Sequence, residues 1–102
     1  MLDQLTHAKF ATLVGQRFRL HVNDAKIVEV ELIEVVQLPT HAGRGAAEAK
    51  RSPFSLVFRG PREFVLPQRI YPVEQESLGK AEIFLVPIGP DEIGQRYEAV
   101  FN

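Results

Sequence analysis

The chain is predicted to be mainly β: a small antiparallel β-barrel or sandwich of about six strands with one short N-terminal helix. Three observations predict this. Residues 80–102 hold two apolar runs, AEIFLVPI and QRYEAVF, joined by Gly89-Pro90-Asp91-Glu92-Ile93-Gly94, which reads as a hairpin whose second arm is stitched into the sheet. Apolar residues alternate at period two in Phe18/Leu20/Val22, Val28/Val30/Leu32 and Phe54/Leu56/Phe58, so each of these strands has one buried and one wet face. Strands this short and this numerous leave exposed edges unless the sheet closes on itself or packs on another.

At the start of the chain, Thr6 can cap a short helix that places Leu5, Phe10, Leu13 and Val14 on one face, and Gly15 supplies its stop. Residues 16–22 form the first strand, residues 23–26 a tight turn, and residues 27–38 a long second arm. The alternation slips in that arm, where Leu32 and Ile33 are both apolar and Glu34 takes the face of Val28, Val30 and Leu32. Either a one-residue bulge between Leu32 and Glu34 restores the pattern or both faces are partly covered there. Residues 39–52 carry no strand pattern and are expected to be an exposed, mobile loop. Residues 54–59 make a third strand closed by Gly60-Pro61, and residues 64–68 a connection or edge segment, because Pro67 has no N–H for a ladder. Residues 69–74 are a fourth, short strand, with Pro72 placing it at an edge or bulge, and residues 75–79 turn the chain into the terminal hairpin.

The 102 residues suffice for one domain, 1–102, and 45% apolar residues suffice for one core. The formal net charge is −1, so there is no global field to hold nucleic acid or an anionic membrane, and neither partner is expected. With no cysteine the chain has no disulfide, thiolate nucleophile or sulfur-ligated metal. The N-terminus lacks a secretory pattern and no apolar run is long enough to span a membrane, so a cytoplasmic location is expected, although export within a larger particle would leave no mark.

Residue types that carry chemistry are scattered. His7, His21 and His41 have no partners at metal-ligand spacing and read as solitary, exposed histidines. Glu29 and Glu31 share a strand face, and their expected role is a solvated charge ladder with Arg17 and Arg19 rather than paired acid/base chemistry. Ser52, Ser55 and Ser77 lack a nucleophile elbow, Gly43-Arg44-Gly45 lacks the lysine of a phosphate loop, and the residues 89–94 are explained by turn chemistry without calcium. No catalytic residue, metal ligand or cofactor is therefore assigned. Charge is uneven along the chain: residues 44–69 have a net of +4 and residues 70–102 a net of −4. On separate surfaces these could guide docking; on neighbouring strands they neutralise one another.

Three stretches carry a family resemblance: Pro53-Phe54-Ser55-Leu56-Val57-Phe58-Arg59-Gly60-Pro61; Leu66-Pro67-Gln68 leading to Tyr71; and Ile83-Phe84-Leu85-Val86-Pro87-Ile88-Gly89-Pro90-Asp91 with Arg96-Tyr97-Glu98-Ala99-Val100-Phe101-Asn102. The chain resembles an uncharacterised bacterial family of roughly hundred-residue proteins, a domain of unknown function whose members end in a Tyr-Glu-Ala-Val-Phe type strand. Members tend to have Gly where this chain has Arg69. The resemblance implies the fold and carries no functional residue; some members resemble neighbours of phage-tail-collar-like proteins, which implies an accessory or structural role. The expected function is accordingly non-enzymatic: protein contacts or self-association, in a phage-tail-like or other multiprotein assembly. The candidate interaction surface is Arg44, Arg51, Arg59, Arg62 and Arg69 on the 39–52 loop and the turn at Gly60-Pro61. The competing expectation is a small-molecule-binding barrel or minor enzyme, its apolar pocket lined by Phe54, Phe58, Tyr71 and Phe84 with Arg59 or Glu98 as polar anchors.

Overall fold

The structure is a computed structural model that describes residues 7–37 and 53–101. One helix, α1 (His7–Ala11), precedes six strands: β1 (Arg17–Asn23), β2 (Lys26–Gln37), β3 (Phe54–Gly60), β4 (Arg69–Gln75), β5 (Gly79–Pro90) and β6 (Gln95–Phe101). They close into an antiparallel barrel in the order β1-β2-β3-β6-β5-β4. The closure decides between the two architectures the alternation allowed, because a barrel leaves no free sheet edge.

Period-two patterning turns one side of each strand into the interior. Phe18, Leu20, Val28, Val30, Leu32, Leu56, Phe58, Tyr71, Val73, Ile83, Leu85, Tyr97 and Ala99 form one contiguous buried cluster. A six-stranded barrel is narrow enough for such side chains to fill it. The slip in β2 is a bulge: Leu32 pairs with Phe58 and Glu34 with Val57, so Ile33 is the extra residue and Val35 returns to face Leu56. A second irregularity lies between Pro87 and Gly89 in β5, where Gly89 has φ +99°. A side chain there would be strained, and only glycine takes this conformation without cost.

Each end of the barrel is plugged. At one end Phe10 of α1 packs 5.9 Å from Phe54 and 5.6 Å from Phe101, whose rings stack at 4.9 Å. A five-residue helix has almost no stability of its own. Burial of Phe10 and Leu13, about 1.5–3 kcal/mol for each side chain, is what holds it. The chain then leaves the helix through Gly15, at φ +91°, whose N–H donates to Leu32 O at 2.7 Å beside the β2 bulge. At the other end the segment 61–68 crosses the opening. Leu66 is buried and its N–H donates to the Tyr97 hydroxyl at 2.9 Å, while the Tyr71 hydroxyl donates to Pro67 O at 2.5 Å. Burial raises the Tyr71 hydroxyl above the ordinary tyrosine range against the opposing charge of Arg69, so it stays a donor.

The weakest seam is β1 to β4, where two residue pairs, Arg19 with Glu74 and Leu20 with Val73, make the whole register. The ladder ends short of Pro72, which has no N–H to extend it. Side chains supplement the seam: Glu74 lies 3.2 Å from His21 and 3.7 Å from Arg19, and Arg69 donates to Val22 O at 2.6 Å.

Several expectations need correction. Val14 is exposed rather than part of the helix face, because the chain turns after Ala11. Ser55 and Val57 lie on the outer face of β3 yet are buried, flanked by Val36 and Val100 and by Glu34 and Glu98 on the adjoining strands. Phe84 is on the outside of the barrel, since its neighbours Ile83 and Leu85 take the interior. Thr6, Leu5 and the loop at 39–52 lie outside the described residues.

Candidate interaction surface

Of the five arginines expected to form a surface, Arg44 and Arg51 lie outside the described residues, and the other three sit at the end of the barrel that 61–68 crosses. Topology brings them there, because β3 ends, β4 starts and β5 turns into β6 on that side. Each is already engaged within the chain. Arg59 stands opposite Arg96 in the ladder, and like charges so placed repel. Its guanidinium reaches instead to Asp91, with Nε and Nη2 at 2.8 and 2.6 Å from Oδ2. Arg62 donates to the carbonyl of Glu92 at 3.0 Å, and Arg69 lies 5.0 Å over the Tyr71 ring while bonding Val22 O.

The Asp91 carboxylate is the hub of this end. Oδ2 receives Arg59, and Oδ1 accepts the N–H groups of Ile93 and Gly94 at 2.8 Å each. The Arg59 hydrogen bonds foremost, then those from Gly94 and Ile93, hold the carboxyl well below the usual aspartate range. Among the described residues the basic middle and the acidic end of the sequence thus meet in one ion pair, Arg59 with Asp91, while Arg62 and Arg69 are taken up by backbone carbonyls.

The expected charge ladder is present in altered form. Arg17 lies opposite Glu31 but contacts Glu29 diagonally at 3.3 Å, and Arg19 turns across the seam to Glu74. His21 is not solitary: it bonds Glu74, and that bond is the main reason the Glu74 carboxyl lies below its ordinary range. His7 sits edge-on to Phe54 with ring centroids 6.0 Å apart, and His41 lies outside the described residues.

The four aromatic residues expected to line one pocket do not share one. Phe54, Phe58 and Tyr71 are packed into the interior, whereas Phe84 faces outward, and Glu98 lies outward on β6 between Val57 and Val86. Among the described residues, one open groove of about 550 Å³ lies between the outer face of β2 and the turn after β3, lined by Arg17, Ile27, Glu29, Arg59, Phe64 and Ile93 among others. Another of about 380 Å³ lies beside the β1–β4 seam at His21, Arg69 and Lys80.

An apolar surface that the sequence reading did not single out lies on β4, β5 and β6. Ile70 and Phe84 are directly opposite one another, 58% and 48% exposed, and Val86 follows Phe84 on the same face. Val100, 53% exposed, continues the surface on β6 beyond Glu98. The signal was a continuous apolar run, IFLVPI, which cannot by itself say which residues face out.

The chain belongs to a family described as a domain of unknown function, DUF6916, whose profile matches residues 5–101. No curated protein and no solved structure matches the chain significantly.

Proposed function

We propose that this barrel is a non-enzymatic module that works through protein contacts, as an accessory or structural component of a multiprotein assembly, of phage-tail-like or other kind. One observation carries the reading: the interior is filled by Phe18, Phe58, Tyr71 and Tyr97 while Ile70 and Phe84 stand side by side in solvent. Contiguous apolar surface outside a filled core is the usual mark of a protein-binding face. The outer surface, rather than a cavity, is then where recognition takes place.

The test joins affinity capture from source-cell extract, read by mass spectrometry, to multi-angle light scattering of the purified chain over a wide concentration range. A partner retained through washing, or a concentration-dependent mass, is the expected result. A concentration-independent monomer that retains nothing would overturn the reading. The outer groove favours a second reading, small-molecule binding, because it pairs apolar Ile27, Phe64 and Ile93 with the charges of Glu29 and Arg59. Saturable stabilisation by a library compound, abolished by Ile93→Lys, is the result that reading requires.

A further inference from the structure

We propose that the outer face of β4, β5 and β6 around Ile70 and Phe84 docks a cationic, apolar-centred segment of another protein. This rests on the protein-contact reading and names its surface and the chemistry of the partner. Ile70 and Phe84 supply the apolar centre as a cross-strand pair, extended by Val86 along β5. The immediate polar flanks are two carboxylates. Glu82 precedes Phe84 on the outer face of β5, opposite Pro72, and Glu98 lies opposite Val86 on β6.

Among the described residues neither Glu82 nor Glu98 takes part in an ion pair. Of the other charges on the face, Glu74 is paired with His21 and Arg19 and Arg96 donates to the carbonyl of Gly89 at 3.2 Å, while Lys80, opposite Glu74 in the ladder, lies at the far edge beyond Glu82 from the Ile70–Phe84 pair. An apolar centre between unpaired carboxylates complements lysine or arginine flanking apolar residues. A second copy fits less well, because a two-fold contact through this face would gather four carboxylates around one apolar centre. Anionic lipid or nucleic acid is repelled by the same pair.

The experiment titrates the full chain against a fluorescein-labelled heptapeptide alternating lysine with leucine and phenylalanine, followed by fluorescence anisotropy, with NMR shift mapping of the bound state. Saturable binding that weakens with salt and shifts the resonances of Ile70, Phe84, Val86 and Glu98 is expected. Phe84→Ser, Ile70→Ser and the double variant Glu82→Lys/Glu98→Lys, each checked for native circular dichroism, should bind about tenfold or more weakly, a loss of about 1.4 kcal/mol. The same peptide with glutamate for lysine should not bind. The proposal is overturned by undiminished binding in the folded variants, by equal binding of the glutamate peptide, by shifts confined to another face, or by no saturable binding up to roughly millimolar peptide. Self-association abolished by Phe84→Ser would overturn it in favour of a second copy. A captured protein partner retained equally by Phe84→Ser would overturn this surface while leaving the protein-contact reading intact.

Discussion

Asp91 closes the β5–β6 turn with one carboxylate oxygen and ties the end of β3 to that turn with the other. Asp91→Asn keeps an acceptor for the turn amides and removes the charge facing Arg59, so it isolates the ionic part. Because folding depresses the Asp91 pKa, that part is fully present above the unfolded aspartate value, near about 4, and is lost as pH falls towards the folded one. Denaturant midpoints of wild type and Asp91→Asn should thus differ by a constant amount at neutral pH and converge in acid; a gap that widened in acid would contradict the assignment. Gly94 is the second sensitive residue here, since a Cβ would run into the carbonyl of Gly60 on the neighbouring strand. Backbone cannot step aside as a flexible side chain can. Gly94→Ala should cost about 1–3 kcal/mol in chemical denaturation. The turn was legible from its Gly-Pro-Asp composition. Its tie to Arg59, 32 residues away, was not, because an ion pair across a closed sheet leaves no local spacing to read.

Among the strands, β1 and β4 share two residue pairs, whereas β4 and β5 share seven. Opening should therefore begin at the β1–β4 seam, which Glu74 spans through His21 and Arg19 and Arg69 through the carbonyl of Val22. Glu74→Gln should accelerate amide hydrogen exchange in β1 and β4 while leaving β3 and β6 near wild-type rates. Uniform acceleration across all six strands would show that the seam does not open separately. The folded Glu74 pKa is lowered, so its contribution is present at neutral pH and lost on acidification through that value, and the wild-type seam should loosen in the same direction. How much of this was readable depends on whether neighbours in sequence are neighbours in the sheet. The β2 bulge was legible because Glu34 broke a local alternation that only an inserted residue restores. The β1–β4 closure was not, because it joins segments about 50 residues apart and rests on two rungs with no composition of their own. Likewise the even alternation of β3 hid that its outer residues, Ser55 and Val57, are covered too.

At the scale of the whole molecule apolar residues of similar type stand on opposite sides of the same wall, and the proposed function assigns stability to the inner set and recognition to the outer. Phe58 is fully buried and meets Phe18 edge-on at 5.2 Å, whereas Phe84 lies half in solvent opposite Ile70. Truncating Phe58 removes buried surface and leaves a cavity that surrounding β-ladders hinder from collapsing, so Phe58→Ala should destabilise by about 3–5 kcal/mol. Truncating Phe84 removes surface that solvent already reaches, so Phe84→Ser should stay within about 0.5 kcal/mol of wild type. Phe10→Ala should follow Phe58 rather than Phe84, because Phe10 closes the far end of the barrel against Phe54 and Phe101. Urea denaturation of the three variants gives the order directly, and binding of the cationic peptide gives the reverse order, with Phe84→Ser folded but weakened and Phe58→Ala still able to bind while it remains folded. A Phe84→Ser protein that lost stability like Phe58→Ala would mean that its ring supports the wall from outside, and the division between a filled interior and a recognising exterior would not hold.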